Sequence, residues 1–246
     1  MPTSVRRLTT KAAVIVVAAI GVIYAVWPHL FRGRKKAMTN KLREHLIRCE
    51  KAMQSAKPIL GERSFPDDRR VSTVIGFISV LIELQESIVL LVLYDKPGSA
   101  TALLRTVVES AYRALWVNLP ATDAEIEKFN QKDKIDLGFG EIAEALDNAY
   151  STADFFRDFK DRAWKHLNSY THGGMHQIGR RFVKHEVANN YSEEEIYEFT
   201  TMATTIALLP ISCFLKTHGH LDSGDQIQAL METYGPLVGG KKPAQE

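Results

Sequence analysis

VSTVIGFISVLIELQESIVLLVL, residues 71–93, is the stretch on which the reading of the chain turns. It is long and apolar enough to cross a bilayer, whose hydrocarbon core takes about 20 helical residues. Its centre, however, holds Glu83, Gln85 and Glu86, and charge at mid-bilayer depth costs at least about 2.5 kcal/mol per residue. The segment is therefore expected to be a buried core helix of a helical domain. Phe65, Pro66 and Asp67 open it, and Asp95-Lys96-Pro97-Gly98 form the turn that ends it near Tyr94.

Helical signals continue on both sides. Residues 37–60 mix charged and apolar positions as an amphipathic helix ending near Pro58 and Gly61. Downstream, Ala100 to Leu119 reads as a helix closed by Pro120, with Thr122 or Asp123 as the next N-cap and Glu125 and Glu127 in its first turn. Helices are expected over 136–149 and 152–172, where Gly173 and Gly174 interrupt the pattern. Ser192 followed by Glu193, Glu194 and Glu195 begins a long helix to about Leu215. Its span from Phe199 to Leu215 is uncharged but carries Pro210 and several Thr, so it too is expected in the core. A short helix over 225–234 completes the set. There is no sustained period-two alternation, no hairpin dipeptide between β-rich runs and no internal repeat, so the fold class is all-α.

The N-terminal stretch reads differently. Ala12 to Phe31 is 20 residues without a formal charge, spanning roughly 30 Å as a helix. Tyr24 and Trp27 lie near one end, where amphipathic rings favour the interface. A cleaved signal peptide would have a shorter apolar region followed by small residues, whereas bulky Trp27, Pro28, His29, Leu30 and Phe31 follow here, then a basic run. The expectation is a single transmembrane anchor over 1–36 that contacts the bilayer through 12–31, a cytoplasmic helical domain over 37–235 and a flexible tail over 236–246. Arg32, Arg34, Lys35, Lys36, Lys41 and Arg43 after the span outnumber Arg6, Arg7 and Lys11 before it. The positive-inside bias then puts the C-terminal domain on the cytoplasmic face of the inner membrane.

Charge narrows the function classes. Of 31 Lys and Arg, seven lie in residues 1–36 without an acid among them, leaving 24 against 29 Asp and Glu in the remainder. A body so mildly acidic gives no support to nonspecific nucleic-acid binding, which rests on clustered cations. Cys49 and Cys213 form no CxxC pair and suit a reducing compartment. Walker, GxSxG, GxGxxG and Cys-His nucleophile patterns are absent from the sequence, and no cofactor is expected.

Two constellations could carry chemistry. On the helix Ala100 to Leu119 the only charges are Arg105, Glu109 and Arg113, spaced i, i+4, i+8 on one stripe beside Tyr112 and Trp116. Charges on so apolar a helix must be paired, so the stripe is either a structural ladder or the lining of a polar, phosphate-holding site. The second is Lys165-His166-Leu167-Asn168-Ser169-Tyr170-Thr171-His172-Gly173-Gly174-Met175-His176. Asn168 and His172 are one helical turn apart. His172 and His176 have a zinc-pair spacing, but Gly173 stands where a metalloprotease has Glu, and no third ligand is evident, so no metal site is predicted. The Gly-Gly pair is a C-cap or a point of close backbone approach. Arg180, Arg181 and Lys184 form the local basic cluster, either solvated or anion-binding.

Leu104-Arg105-Thr106-Val107-Val108-Glu109-Ser110 through Trp116, followed by Asn168 to Gly174, resemble a group of uncharacterised bacterial helical proteins. These are similar in turn to the HEPN (higher eukaryotes and prokaryotes nucleotide-binding) superfamily. The likeness spans roughly residues 40–220. It implies an antiparallel helical bundle, a homodimer, RNA or nucleotide as partner, and metal-independent ribonuclease activity in stress or phage defence. That superfamily uses an Arg followed four to six residues later by a His. By the resemblance His172 is the catalytic His, Asn168 the polar residue four before it, and Arg105, Arg113 or Lys165 the phosphate holder. The motif's Arg is missing: Leu167 stands in its commonest place and Lys165 is the nearest base.

Overall fold

The computed structural model describes residues 38–183 and 186–234. The expected anchor over 1–36 and tail over 236–246 lie outside the described residues. The fold is all-α, with nine α-helices among the described residues. In chain order they are α1 (Asn40–Gly61), α2 (Arg69–Leu93), α3 (Pro97–Asn118), α4 (Asp123–Lys132), α5 (Phe139–Tyr150), α6 (Phe155–Thr171), α7 (Met175–Ile178), α8 (Glu193–Thr217) and α9 (Leu221–Tyr234). Two compact units are present: residues 38–177 with 191–234, and residues 178–190.

Capping chemistry sets most boundaries of the larger unit. Thr39, Asp68, Thr122 and Ser192 cap α1, α2, α4 and α8 with their side chains, and Thr122–Glu125 and Ser192–Glu195 are reciprocal capping boxes. Pro97 opens α3 in the first turn, where its missing N–H costs nothing.

The core is built around α3, which packs on α2, α5, α6 and α8. Tyr112 and Trp116, placed by the wheel beside the charged stripe, are 3% and 2% exposed. Residues 71–93 are core on one stripe rather than all round: Val71, Val74, Ile78, Leu81, Gln85, Ile88 and Val92 are buried at three- and four-residue steps, while Val80 and Leu90 are exposed. The polar residues at its centre divide accordingly. Gln85 is fully buried and donates to the Cys49 carbonyl at 3.2 Å and to Thr204 Oγ1 at 2.9 Å, Glu86 pairs with Lys57 at 2.5 Å, and Glu83 is exposed. α2 and α8 are both long and apolar enough to cross a membrane, but two-thirds of the apolar window of α8 is buried in the protein.

The smaller unit, which pattern reading did not anticipate, is a turn at Gly179–Arg181 and a two-residue antiparallel ladder pairing Phe182 with Val187 and Val183 with Glu186. The Ala188 and Asn190 amides donate to the carbonyls of Arg181 and Arg180 at 2.9 Å and extend it.

Candidate functional site

α3 and α6 run antiparallel against each other. Near the start of α6, the Tyr112 hydroxyl donates to the Phe156 carbonyl at 2.9 Å; at its end, the Thr171 hydroxyl donates to the Ala102 carbonyl at 3.2 Å. Just beyond, the Gln177 amide donates to the Gly98 carbonyl at 3.0 Å. Three latches along the pair fix its register.

That register brings Arg105 of α3 to His172, the C-cap of α6. Arg105 Nη1 donates to His172 Nε2 at 2.5 Å and Arg105 Nε donates to Glu109 Oε1 at 2.9 Å. A guanidinium only donates, so Nε2 is the acceptor in this contact. Arg105 also lies over the Trp164 ring, 5.0 Å from its centroid. Behind it the stack continues: Trp164 on Phe139 at 4.1 Å, Phe139 on Tyr112 at 4.8 Å. The stacked rings support the guanidinium from one side, while the Arg105 and Glu109 side chains remain 24% and 23% exposed and His172 is exposed. Burial and the nearby Asp147 carboxylate hold the Tyr112 phenol above its usual range, so it is a neutral donor.

The turn after α6 is locked. His172 N and Gly174 N bond the Asn168 and Ser169 carbonyls at 3.0 and 2.7 Å, and Gly173 takes φ +66°, so the helix ends in a Schellman arrangement. Gly174 is a close approach as well, since a Cβ there would lie 2.4 Å from Ser169 Oγ. Both roles open for the Gly-Gly pair are therefore filled, one by each residue.

The sequence profile of a family of unknown function, DUF6988, matches residues 78–238. The chain belongs to this family. The match takes in Arg105, Glu109, Arg113, Lys165, Asn168 and His172. No curated protein and no solved structure matches the chain.

The remaining candidates of this DUF6988 protein divide. Arg113 is half-buried and Lys165 exposed, and neither makes an ion pair or hydrogen bond among the described residues, leaving two cations on α3 and α6 uncommitted. Asn168 Oδ1 is buried without a hydrogen-bond partner. Arg180 belongs to the smaller unit, in its Gly179–Arg181 turn. His172 and His176 do not form the facing pair that zinc would need: His172 turns to Arg105, and His176 instead faces His166, ring centroids 4.5 Å apart. Among the described residues there is no group of three or more His, Cys, Asp and Glu placed to hold a metal ion.

Pattern reading missed Trp164. Its signal is visible in hindsight: Trp164, Asn168 and His172 repeat at i, i+4, i+8 on α6, the same spacing as Arg105, Glu109 and Arg113 on α3. Chemically, the arrangement offers a guanidinium fork for an oxyanion, an imidazole at hydrogen-bond distance from it, and a carboxylate that holds the fork in place.

Proposed function

We propose that this DUF6988 protein is a membrane-held, HEPN-like effector of stress or phage defence that acts on RNA or a nucleotide, working as a homodimer. The observation that carries the reading is the 2.5 Å contact between Arg105 and His172. The α6 segment lacks the arginine of the resembling superfamily, and α3 supplies one from 67 residues away. A phosphate oxygen is a stronger acceptor for a guanidinium than a neutral imidazole. Substrate arriving at Arg105 would displace Nε2 and free it as a base. His172 would then take the proton of a ribose 2′-hydroxyl, whose oxygen attacks the adjacent phosphorus; the P–O5′ bond breaks and the leaving oxygen takes a proton from water. Arg105 would hold the charge that develops on the phosphoryl oxygens, with Arg113 and Lys165 as further cations. Ala12 to Phe31, with its basic flanks, supports attachment to the membrane.

The test is RNA integrity in cells and in vitro with full-length wild type, His172→Ala and Arg105→Ala. The expected result is cleavage by wild type that falls about 10²-fold or more in either variant. Undiminished cleavage in His172→Ala would sink the assignment.

A second reading rests on a specific observation: Arg105 already has partners within the chain, Glu109 and His172, and lies over Trp164. On that reading the constellation is a structural ladder in a nonenzymatic binding or scaffold module. It predicts that Arg105→Ala lowers stability while wild type cleaves no RNA.

A further inference from the structure

We propose that His166 and His176 form a binding site for a late first-row divalent transition ion, with Cu²⁺ favoured. The site is separate from the Arg105–His172 contact and does not rest on the proposed function.

The ring centroids of His166 and His176 are 4.5 Å apart, their planes at 58°. Both residues are exposed, and none of their ring nitrogens makes a hydrogen bond among the described residues. Each ring therefore has a nitrogen to give to a shared ion. Imidazole is a preferred ligand of Cu²⁺, Ni²⁺ and Zn²⁺ alike, and affinity at a given nitrogen site rises toward Cu²⁺.

The spacing is within the span of a single ion. With a metal–nitrogen bond of about 2.0–2.1 Å, an imidazole centroid lies roughly 3.2 Å from the ion. Two such rings at right angles stand about 4.5 Å apart, and at the tetrahedral angle about 5.2 Å. The observed 4.5 Å is short enough for one ion to take a nitrogen from each ring.

The pair is held by the fold and need not be assembled by the ion. His166 is on α6 and His176 on α7, joined by the locked turn at Gly173 and Gly174. The His176 amide donates to Ser169 Oγ at 3.1 Å, and the Gly174 amide to the Ser169 carbonyl at 2.7 Å, so one residue, Ser169, fixes where α7 leaves α6. Preorganised ligands lose little entropy on binding. Because no larger ligand group is present among the described residues, the remaining coordination positions belong to water or to an incoming oxygen ligand. Binding ties the last turn of α6, and with it the His172 cap, to α7.

The experiment uses the full-length chain in detergent, without a polyhistidine tag, titrated with CuCl₂ and NiCl₂ by calorimetry and followed for Cu²⁺ by electron paramagnetic resonance. One ion should bind per chain with the hyperfine pattern of two imidazole nitrogens. Affinity should fall at least tenfold in His166→Ala and in His176→Ala, and stay within twofold of wild type in His172→Ala. Circular dichroism confirms that each variant is folded. Saturating Ni²⁺ should raise the melting temperature of wild type and leave that of the two variants unchanged. Three results would each overturn the inference: no binding at millimolar ion, binding that survives either single substitution, or binding lost in His172→Ala while His166→Ala retains it.

Discussion

His45 on α1 is 4% exposed, with Nε2 2.9 Å from Thr200 Oγ1, 3.4 Å from Thr201 Oγ1 and 3.5 Å from Cys49 Sγ. Burial, reinforced by the charge of Arg48 and only partly offset by a backbone hydrogen bond to Tyr197, lowers its pKa from 6.5 to about 4. In the unfolded chain the ring takes a proton as pH falls below 6.5; in the folded chain it does not until about 4. Stability from this residue is therefore undiminished above pH 6.5 and falls as pH drops through the window to 4, by roughly 3 kcal/mol at about 1.4 kcal/mol per unit. The same burial raises the Cys49 thiol, so the His45–Cys49 pair is neutral and structural rather than a nucleophile with its base. Urea unfolding at pH 7.5, 5.5 and 4.5 should show this loss in wild type and a flatter profile in His45→Gln; an equal slope in both would remove His45 as the cause.

At the scale of the element, α6 carries the site and yet begins badly. Ser151, Ala153 and Asp154 leading into it all take positive φ, an unfavourable conformation for residues with a Cβ, and the N-cap residue Asp154 makes no side-chain capping bond. Asp147 of α5 does the capping instead. Its buried carboxylate accepts from the Phe156 and Arg157 amides at 2.9 and 3.1 Å, from the Thr152 hydroxyl at 2.8 Å and from Arg157 Nε at 3.2 Å. Burial alone would push this carboxyl up; the bonds from Phe156, Thr152 and Arg157 outweigh it and hold it below its usual range. Its contribution is thus present above the ordinary carboxylate range and lost only in stronger acid than the His45 window. Asp147→Ala should cost roughly 2–4 kcal/mol, because it leaves amides at the helix start unpaired, and amide exchange should speed up in the first turn of α6. Asp158→Ala, an exposed position on the same helix, should cost about 0.5 kcal/mol or less. Equal costs for the two would mean that Asp147 does not hold α6.

For the whole molecule, the proposed anchor makes a statement about partition. A transmembrane helix the length of Ala12 to Phe31, 20 uncharged residues, would make membrane association effectively irreversible. Full-length protein should stay with the membrane pellet after alkaline carbonate, and its body should resist protease added to the outside of intact spheroplasts. Release into the carbonate supernatant would remove the anchor, and digestion from outside would reverse the orientation. α2 and α8 do not alter this expectation: each is apolar over a membrane length, but α2 buries a heptad-like stripe against the bundle and α8 most of its apolar window.

What could be read without the structure was whatever repeats within a few turns of one helix. The all-α class, an N-cap at Thr122 or Asp123, the helix start at Ser192, the Arg105-Glu109-Arg113 stripe and the core role of residues 199–215 are all local, because a 3.6-residue period and a helix-start signal are written into consecutive positions. Tertiary packing decided the rest. It decided that Arg105 reaches His172, that His176 faces His166, and that Asp147 caps a helix other than its own. Each depends on the register between helices, which is set by how buried faces such as that of α3 interdigitate with their neighbours. No spacing along a single helix encodes that register.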